Sequence, residues 1–109
     1  MILDKILAAK KNEVTRLKRE RPLGELKSYL DGLPSPRDFL GAISGRDCAV
    51  IAEVKKCSPS KGLFREEFDP VVIARVYEEN GAAAISVLTD KEFFGGDRSY
   101  IVQVNNHVH

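Results

Sequence analysis

The residues of this chain best suited to chemistry lie close together between Cys48 and Gly62, in the stretch CAVIAEVKKCSPSKG. An apolar run ends there on two charged side chains, and a loop of Ser, Pro, Lys and Gly follows. Burying either charge unpaired costs on the order of several kcal/mol, so a buried strand ending this way must open to solvent at that end. Residues two apart on a strand share a face. Ala49, Ile51, Glu53 and Lys55 therefore point one way, and Val50, Ala52 and Val54 the other. A carboxylate and an ammonium at that spacing could bind an anion, pair with each other, or move protons. A purely structural ion pair is the plain alternative.

The loop Lys56-Cys57-Ser58-Pro59-Ser60-Lys61-Gly62 adds two hydroxyls, Ser58 and Ser60, and two more ammonium groups. Such a set suits a carboxylate or a phosphate, although a solvated connector has the same composition. The loop is not a nucleotide-binding Walker loop, because the Gly-x4-Gly-Lys-Ser/Thr frame is missing. Phe93 and Phe94 beside Gly95-Gly96 could wall an aromatic pocket, or simply pack in the core. Cys57 has lysine neighbours that favour a thiolate, but no histidine partner in sequence, and is read as a bystander. His107 and His109 carry no ligand spacing, and no metal site is expected.

The elements that position these residues are readable from period and punctuation. Residues 2–20 have the spacing of an amphipathic helix, ended by Arg21-Pro22. Leu23, Leu26 and Leu30 predict a short second helix that stops at Gly32 and Pro34. Ser35-Pro36-Arg37-Asp38 predicts a third, capped by Ser35 with Pro36 in its first position. A buried strand is expected over Cys48–Val54. Asp69-Pro70 then opens a helix with Val72, Ile73, Val76 and Tyr77 on one side, and Asn80-Gly81 stops it. Ala83–Leu88 reads as a second buried strand. Strand, loop, helix, turn and strand make a right-handed βαβ unit, with parallel strands covered on both faces. From Asp97 a further helix with Ile101, Val104 and Val108 is preferred to a strand, because the α/β alternation is already running.

The totals narrow the class. The chain has 109 residues, 43% hydrophobic and 30% charged, as an ordinary globular chain does. No apolar run approaches the roughly 20 residues of a spanning helix. The amino terminus has charges inside its apolar stretch and makes a poor secretory signal, so a cytoplasmic location and no membrane partner are expected. Cys48 and Cys57 lie roughly 25 Å apart along an extended strand, too far for a disulfide. Net charge is +1, with a surplus of +4 in residues 1–27 and −3 in the remainder. A basic helix can mean nucleic acid, but no aromatic residue interleaves the cations and no reading motif accompanies them. A solvated helix face is preferred. Two parallel strands alone leave two edges exposed, so the chain reads as the opening of a larger sheet.

IAEVKKCSPSKG followed by FDPVVIARVYEENGAAAISVLTDKEFFGG closely resembles the first third of bacterial indole-3-glycerol-phosphate synthases. ILDKILAAKKNEV and PRDFLGAI resemble the extra helices that lead those chains. The resemblance implies an α/β fold, the amino-terminal part of a TIM (β/α)8 barrel, incomplete over these residues. Residues 1–46 would be the leading helices and 47–109 the first two βα units. It implies a carbon–carbon lyase of tryptophan biosynthesis, without metal or cofactor. Its phosphorylated small-molecule substrate would be 1-(2-carboxyphenylamino)-1-deoxyribulose 5-phosphate.

By position, Glu53 and Lys55 match the family's strand-1 pair. Lys55 would hold anionic groups and take part in acid catalysis, while Glu53 would orient the network. Ser58 and Ser60 would contact substrate, Phe94 would wall the anthranilate ring, and Ser86 and Leu88 would face the barrel interior. Cys57 departs slightly from the pattern, where Ala or a basic residue is common. A larger departure is that no Leu-Arg-Lys-Asp-Phe-like strand, which bears the family's main general acid, occurs among these residues. Nor do the phosphate-binding loops that follow strands 7 and 8. The chain alone is therefore expected to be inactive. The rival readings are another phosphate-binding barrel enzyme of the same pathway and a non-enzymatic module that binds nucleic acid through its basic helix.

Overall fold

The computed structural model describes residues 1–109, which form two compact units, Met1–Arg37 and Asp38–His109. The first contains α1 (Ile2–Glu20) and α2 (Leu23–Ser28). Asp4 sits in the first turn of α1 and Lys18 and Arg19 in its last, each sign favourable to the helix dipole. Lys10 and Glu13 pair at 2.5 Å, and Arg16 and Glu20 at 3.8 Å, on adjacent turns. Arg21, just before Pro22, leaves the helical region at φ −136° and ψ 85°, as the ring of a following proline requires. Neither helix buries a residue.

The second unit runs α3 (Phe39–Ile43), β1 (Ile51–Val54), β2 (Cys57–Ser58), β3 (Gly62–Leu63), α4 (Pro70–Glu79), β4 (Ala84–Val87) and α5 (Ser99–Asn105). The expected local structure needs correction at three places. The cap of α3 is Asp38, whose carboxylate accepts the Gly41 N–H at 2.9 Å, so the helix begins one turn later than Ser35 predicts. β1 begins at Ile51 rather than Cys48, because pairing with the neighbouring strand starts only at the Val50 carbonyl. The loop after β1 is not wholly irregular: β2 and β3 form a small antiparallel hairpin inside it.

The second helix stops at Ser28, short of the expected Leu30, whereas the signals around α4 and the parallel pairing hold. Asp69 caps α4 by accepting from Val71 and Val72, with Pro70 at the first helical position. Asn80 ends α4, and Gly81 turns the chain at φ +87°, where a Cβ would be strained. β1 and β4 pair in parallel, Ile51 with Ala84, Ala52 with Ile85, Glu53 with Ser86 and Val54 with Val87. Asp97 accepts the Ser99 N–H at 2.9 Å at the start of α5. Cys48 and Cys57 are free thiols.

The core lies between the sheet and helices α4 and α5. Val54, Ala74, Val104 and Val108 are its buried members, with Phe68, Ile73, Tyr77, Ile85 and Val87 packed against them. Phe68 and Tyr100 stack at a tilt of 54°, with ring centroids 5.6 Å apart. Parallel strands were expected to be covered on both faces. Here only the face carrying Val54, Ile85 and Val87 is covered, and Ile51 on the other remains 51% exposed.

Two substitutions test what holds this unit. Asp69→Ala removes the acceptor for two orphan N–H groups and should lower the unfolding free energy by about 1 kcal/mol. Gly96→Ala should cost more, because a Cβ there overlaps the backbone carbonyl of Leu88. Urea unfolding followed by circular dichroism gives both values. Wild-type midpoints for either variant would refute the role given to that residue.

Candidate active site

β1 brings its chemistry to one point by strand parity. Val54 is 1% exposed and faces the helices, so Glu53 must face the opposite side. The register then sets Ser86 of β4 directly across from Glu53. Ser86 Oγ donates to Glu53 Oε2 at 3.3 Å. Lys55 lies just beyond the end of the strand, with Nζ 3.5 Å from Glu53 Oε1.

The ammonium of Lys55 also sits over the ring of Phe64, 5.3 Å from its centroid. The Tyr77 hydroxyl on α4 donates to the backbone carbonyl of Glu53 at 2.9 Å. These groups border an open depression of about 510 Å³, lined by Glu53, Lys55, Phe64, Arg65, Val72, Ile73, Val76 and Tyr77.

Energetics argue against a structural lock. The side chains of Lys55 and Glu53 are 33% and 45% exposed, and ion pairs so hydrated contribute at most about 1 kcal/mol. A cation over an exposed ring adds about 0.5–1 kcal/mol. Neither contact is strong enough to keep the ammonium from an incoming carboxylate or phosphate. The pair is formed and oriented, yet easily redirected.

The other residues singled out by sequence are placed less directly. Ser58 is buried, and its Oγ accepts the Lys61 N–H at 3.2 Å, which closes the β2–β3 hairpin. Ser60 is exposed in the turn of that hairpin. The Leu88 N–H donates to the Val54 carbonyl at 3.1 Å and extends the parallel ladder. Phe94 is half-buried in the loop after β4. That loop lies against the loop after β1: a Cβ on Gly95 would stand 3.0 Å from Cys57 Sγ and 3.5 Å from Lys56 Cδ. Glu53, Lys55 and Ser86 thus converge through side-chain contacts, whereas Ser58, Ser60 and Phe94 share only the neighbourhood of the two loops.

Sequence reasoning did not single out Phe64, and it read Tyr77 as packing alone. Tyr77 does belong to the apolar stripe of α4. The signal in its sequence was the hydroxyl at the edge of that stripe, since a half-buried phenol usually finds an acceptor.

Comparison with known proteins bears directly on this arrangement. The family model described as indole-3-glycerol phosphate synthase matches residues 3–109. The chain belongs to the indole-3-glycerol phosphate synthase family. It is 50% identical over 104 residues to the indole-3-glycerol phosphate synthase of Aromatoleum aromaticum, covering 92% of this chain and 40% of that protein. To that of Rippkaea orientalis it is 50% identical over 109 residues, 98% of this chain and 37% of the relative. To that of Alkaliphilus metalliredigens it is 48% identical over 105 residues, 95% and 40% of the two chains. The chain therefore spans about two fifths of the length of these relatives. The synthase family is one of TIM-barrel carboxy-lyases, and the parallel α/β unit observed here is in keeping with it. No helix is long and apolar enough to cross a membrane.

The loop bearing Phe94 is closed electrostatically. Lys91 Nζ and Asp97 pair at 3.3 Å across it. Hydrogen bonds from the Ser99 backbone and side chain, then the Lys91 ammonium, hold the Asp97 carboxyl down to about 2 from an ordinary 3.8. A depressed carboxyl stabilises the folded form fully above the unfolded value, and that stabilisation fades as pH falls through the folded value. Carboxyl-detected NMR should therefore place the Asp97 midpoint near 2, with the first turn of α5 fraying below it. A midpoint near 3.8 with α5 still ordered would dismiss this closure.

Proposed function

We propose that this chain is the opening portion of a cytoplasmic indole-3-glycerol phosphate synthase. Residues 1–46 are its leading helices, and 47–109 are the first two of eight βα units. The substrate is 1-(2-carboxyphenylamino)-1-deoxyribulose 5-phosphate, and the reaction uses neither metal nor cofactor. The observation that carries this reading is the Glu53–Lys55–Ser86 cluster, at the carboxyl ends of two parallel strands, where this barrel architecture places its sites.

The substrate explains why such a cluster is needed. Closing the indole ring joins the ring carbon that bears the carboxylate to the ketone carbon of the sugar chain. The carboxylate leaves as carbon dioxide, and the ketone oxygen must be protonated and expelled as water. Two kinds of group are required: a cation to hold the carboxylate or phosphate, and acids placed at the oxygen that leaves. Lys55 supplies a cation and takes part in proton donation. Glu53, held from one side by Ser86, accepts from substrate hydroxyls and keeps the ammonium in register. Phe94 and Leu88 supply apolar contact for the anthranilate ring, and Ser58 and Ser60 supply polar groups at the loop. A further general acid and the phosphate loops come from the rest of the barrel, so this chain by itself does not turn over.

Two measurements test the reading. Indole fluorescence should show no product from the 109-residue chain, and turnover by it alone would overturn the assignment of its missing parts. Joined to the uncovered remainder of the Aromatoleum aromaticum relative, the chain should form indole-3-glycerol phosphate. In that chimera Lys55→Ala should lower kcat about 100-fold or more, the usual worth of an acid–base group. Near-normal kinetics would remove Lys55 from the mechanism.

A further inference from the structure

Phe64 is about half exposed and takes no part in the core between the sheet and the helices. The backbone of the loop sets its place instead. Ser58 Oγ accepts the Lys61 N–H at 3.2 Å, and Gly62 turns the chain at φ +69°. β3 then runs back along β2, with Gly62 opposite Ser58 and Leu63 opposite Cys57. The Phe64 N–H donates to the Lys56 carbonyl at 3.0 Å, one step beyond those pairs. Lys56 directly follows Lys55, so the hairpin carries the ring to the Lys55 ammonium.

We propose that Phe64 is a positioning residue for Lys55, and that the β2–β3 hairpin aims its ring. The proposal rests on the role given to Lys55 above. A lysine ammonium is a compact charge on a flexible four-carbon stem. Glu53 gives it one hydrated ion pair, at 3.5 Å. With that partner alone, the stem is free to swing about the carboxylate. The ring adds a second point of attachment, 5.3 Å from Nζ to its centroid. One point fixes only the distance from Glu53, whereas two fix where the ammonium stands. The second point is also of a suitable kind. An aromatic ring attracts a cation through its quadrupole, yet it carries no formal charge and no basic lone pair. It neither takes the proton that Lys55 donates nor competes for the substrate hydroxyls that Glu53 accepts. An incoming carboxylate or phosphate thus meets an ammonium already held in place. An aliphatic side chain at this position would cover the same ground without that hold.

The experiment uses the covalent chimera with the Aromatoleum aromaticum remainder, a full-length chain. Phe64 is replaced by phenylalanines bearing successively more ring fluorines, which keep the shape and withdraw charge from the ring face. With each fluorine kcat/KM should fall, ending about two- to fivefold below wild type, the worth of an exposed cation–π contact. Phe64→Leu should show the same loss and Phe64→Trp none, since indole is the better partner. A second readout is independent of turnover. The ring current of Phe64 should move the Lys55 ε-methylene proton resonances upfield, and Phe64→Leu should abolish that shift. Gly62→Ala, strained at its positive φ, should weaken the shift although it alters neither residue of the contact.

Equal kcat/KM across the fluorine series would overturn the positioning role, as would a loss in Phe64→Trp as large as that in Phe64→Leu. Unshifted Lys55 resonances would overturn the contact, and a full shift in Gly62→Ala the part given to the hairpin. An inactive chimera that keeps the ring-current shift would refute the proposed reaction and leave the hold of Phe64 on Lys55 standing. An active chimera indifferent to the ring would do the reverse.

Discussion

Burial of Val54 against α4 and α5 is the constraint on which the rest of the second unit depends. A strand cannot turn one residue inward without turning its neighbours outward. With Val54 seated beside Ala74, Val104 and Val108, Glu53 has to face away from the helices. Parallel pairing then decides what Glu53 meets. A slip of one residue in either strand would replace Ser86 with a core residue and bring Glu53 against apolar side chains. The packing of an aliphatic core and the placement of a carboxylate are therefore one event. Loss of the core contact would displace the site without touching any of its polar groups.

The two loops at the strand ends are held by close backbone approach rather than by strong bonds. Gly96 passes so near the Leu88 carbonyl that no side chain fits, and Gly95 takes φ +60° against Cys57. Glycine is required at both places for different reasons, space at one and backbone conformation at the other. The paired phenylalanines before them inherit their position from this packing. An ion pair across the loop and the Asp97 contacts to α5 then set its far end. Such loops can be well placed while every polar contact in them remains individually weak.

Much of this was legible in the residues, and the reasons are local. Asp69-Pro70 and Asn80-Gly81 state the ends of α4 in their own side chains and backbone, with no need of a partner. Strand parity gave the opposite faces of Glu53 and Val54 correctly. The errors arose where a choice depended on something distant. Ser35 and Asp38 are both good caps, and only the formed helix shows which carboxylate or hydroxyl reaches an N–H. Cys48 and Ala49 look like strand, yet no pairing residue on β4 extends that far. The bond from Tyr77 to the Glu53 carbonyl joins residues 24 apart, and no periodicity reports it. Ser58 illustrates another limit: its hydroxyl is committed to the hairpin turn, which composition alone does not reveal.

The open face of the sheet carries a gradient of polarity along its strands. Along β1 and β4 the outward positions run from Ile51 and Ala84, through Glu53 and Ser86, to Lys55 and Leu88. The amino-terminal end is apolar on both strands, and at the carboxyl-terminal end the charge is carried by β1 alone, beside Ser86 of β4. Parallel pairing aligns the two apolar ends at one side of this face. A floor of aliphatic groups beneath a charged rim lowers the local dielectric on one side of Glu53 and Lys55 and leaves water on the other. Covering that floor would strengthen the attraction of Lys55 for an anion without moving it. The observed exposure of Ile51 is therefore more than an uncovered core position: whatever shields it also tunes the charge two residues farther on.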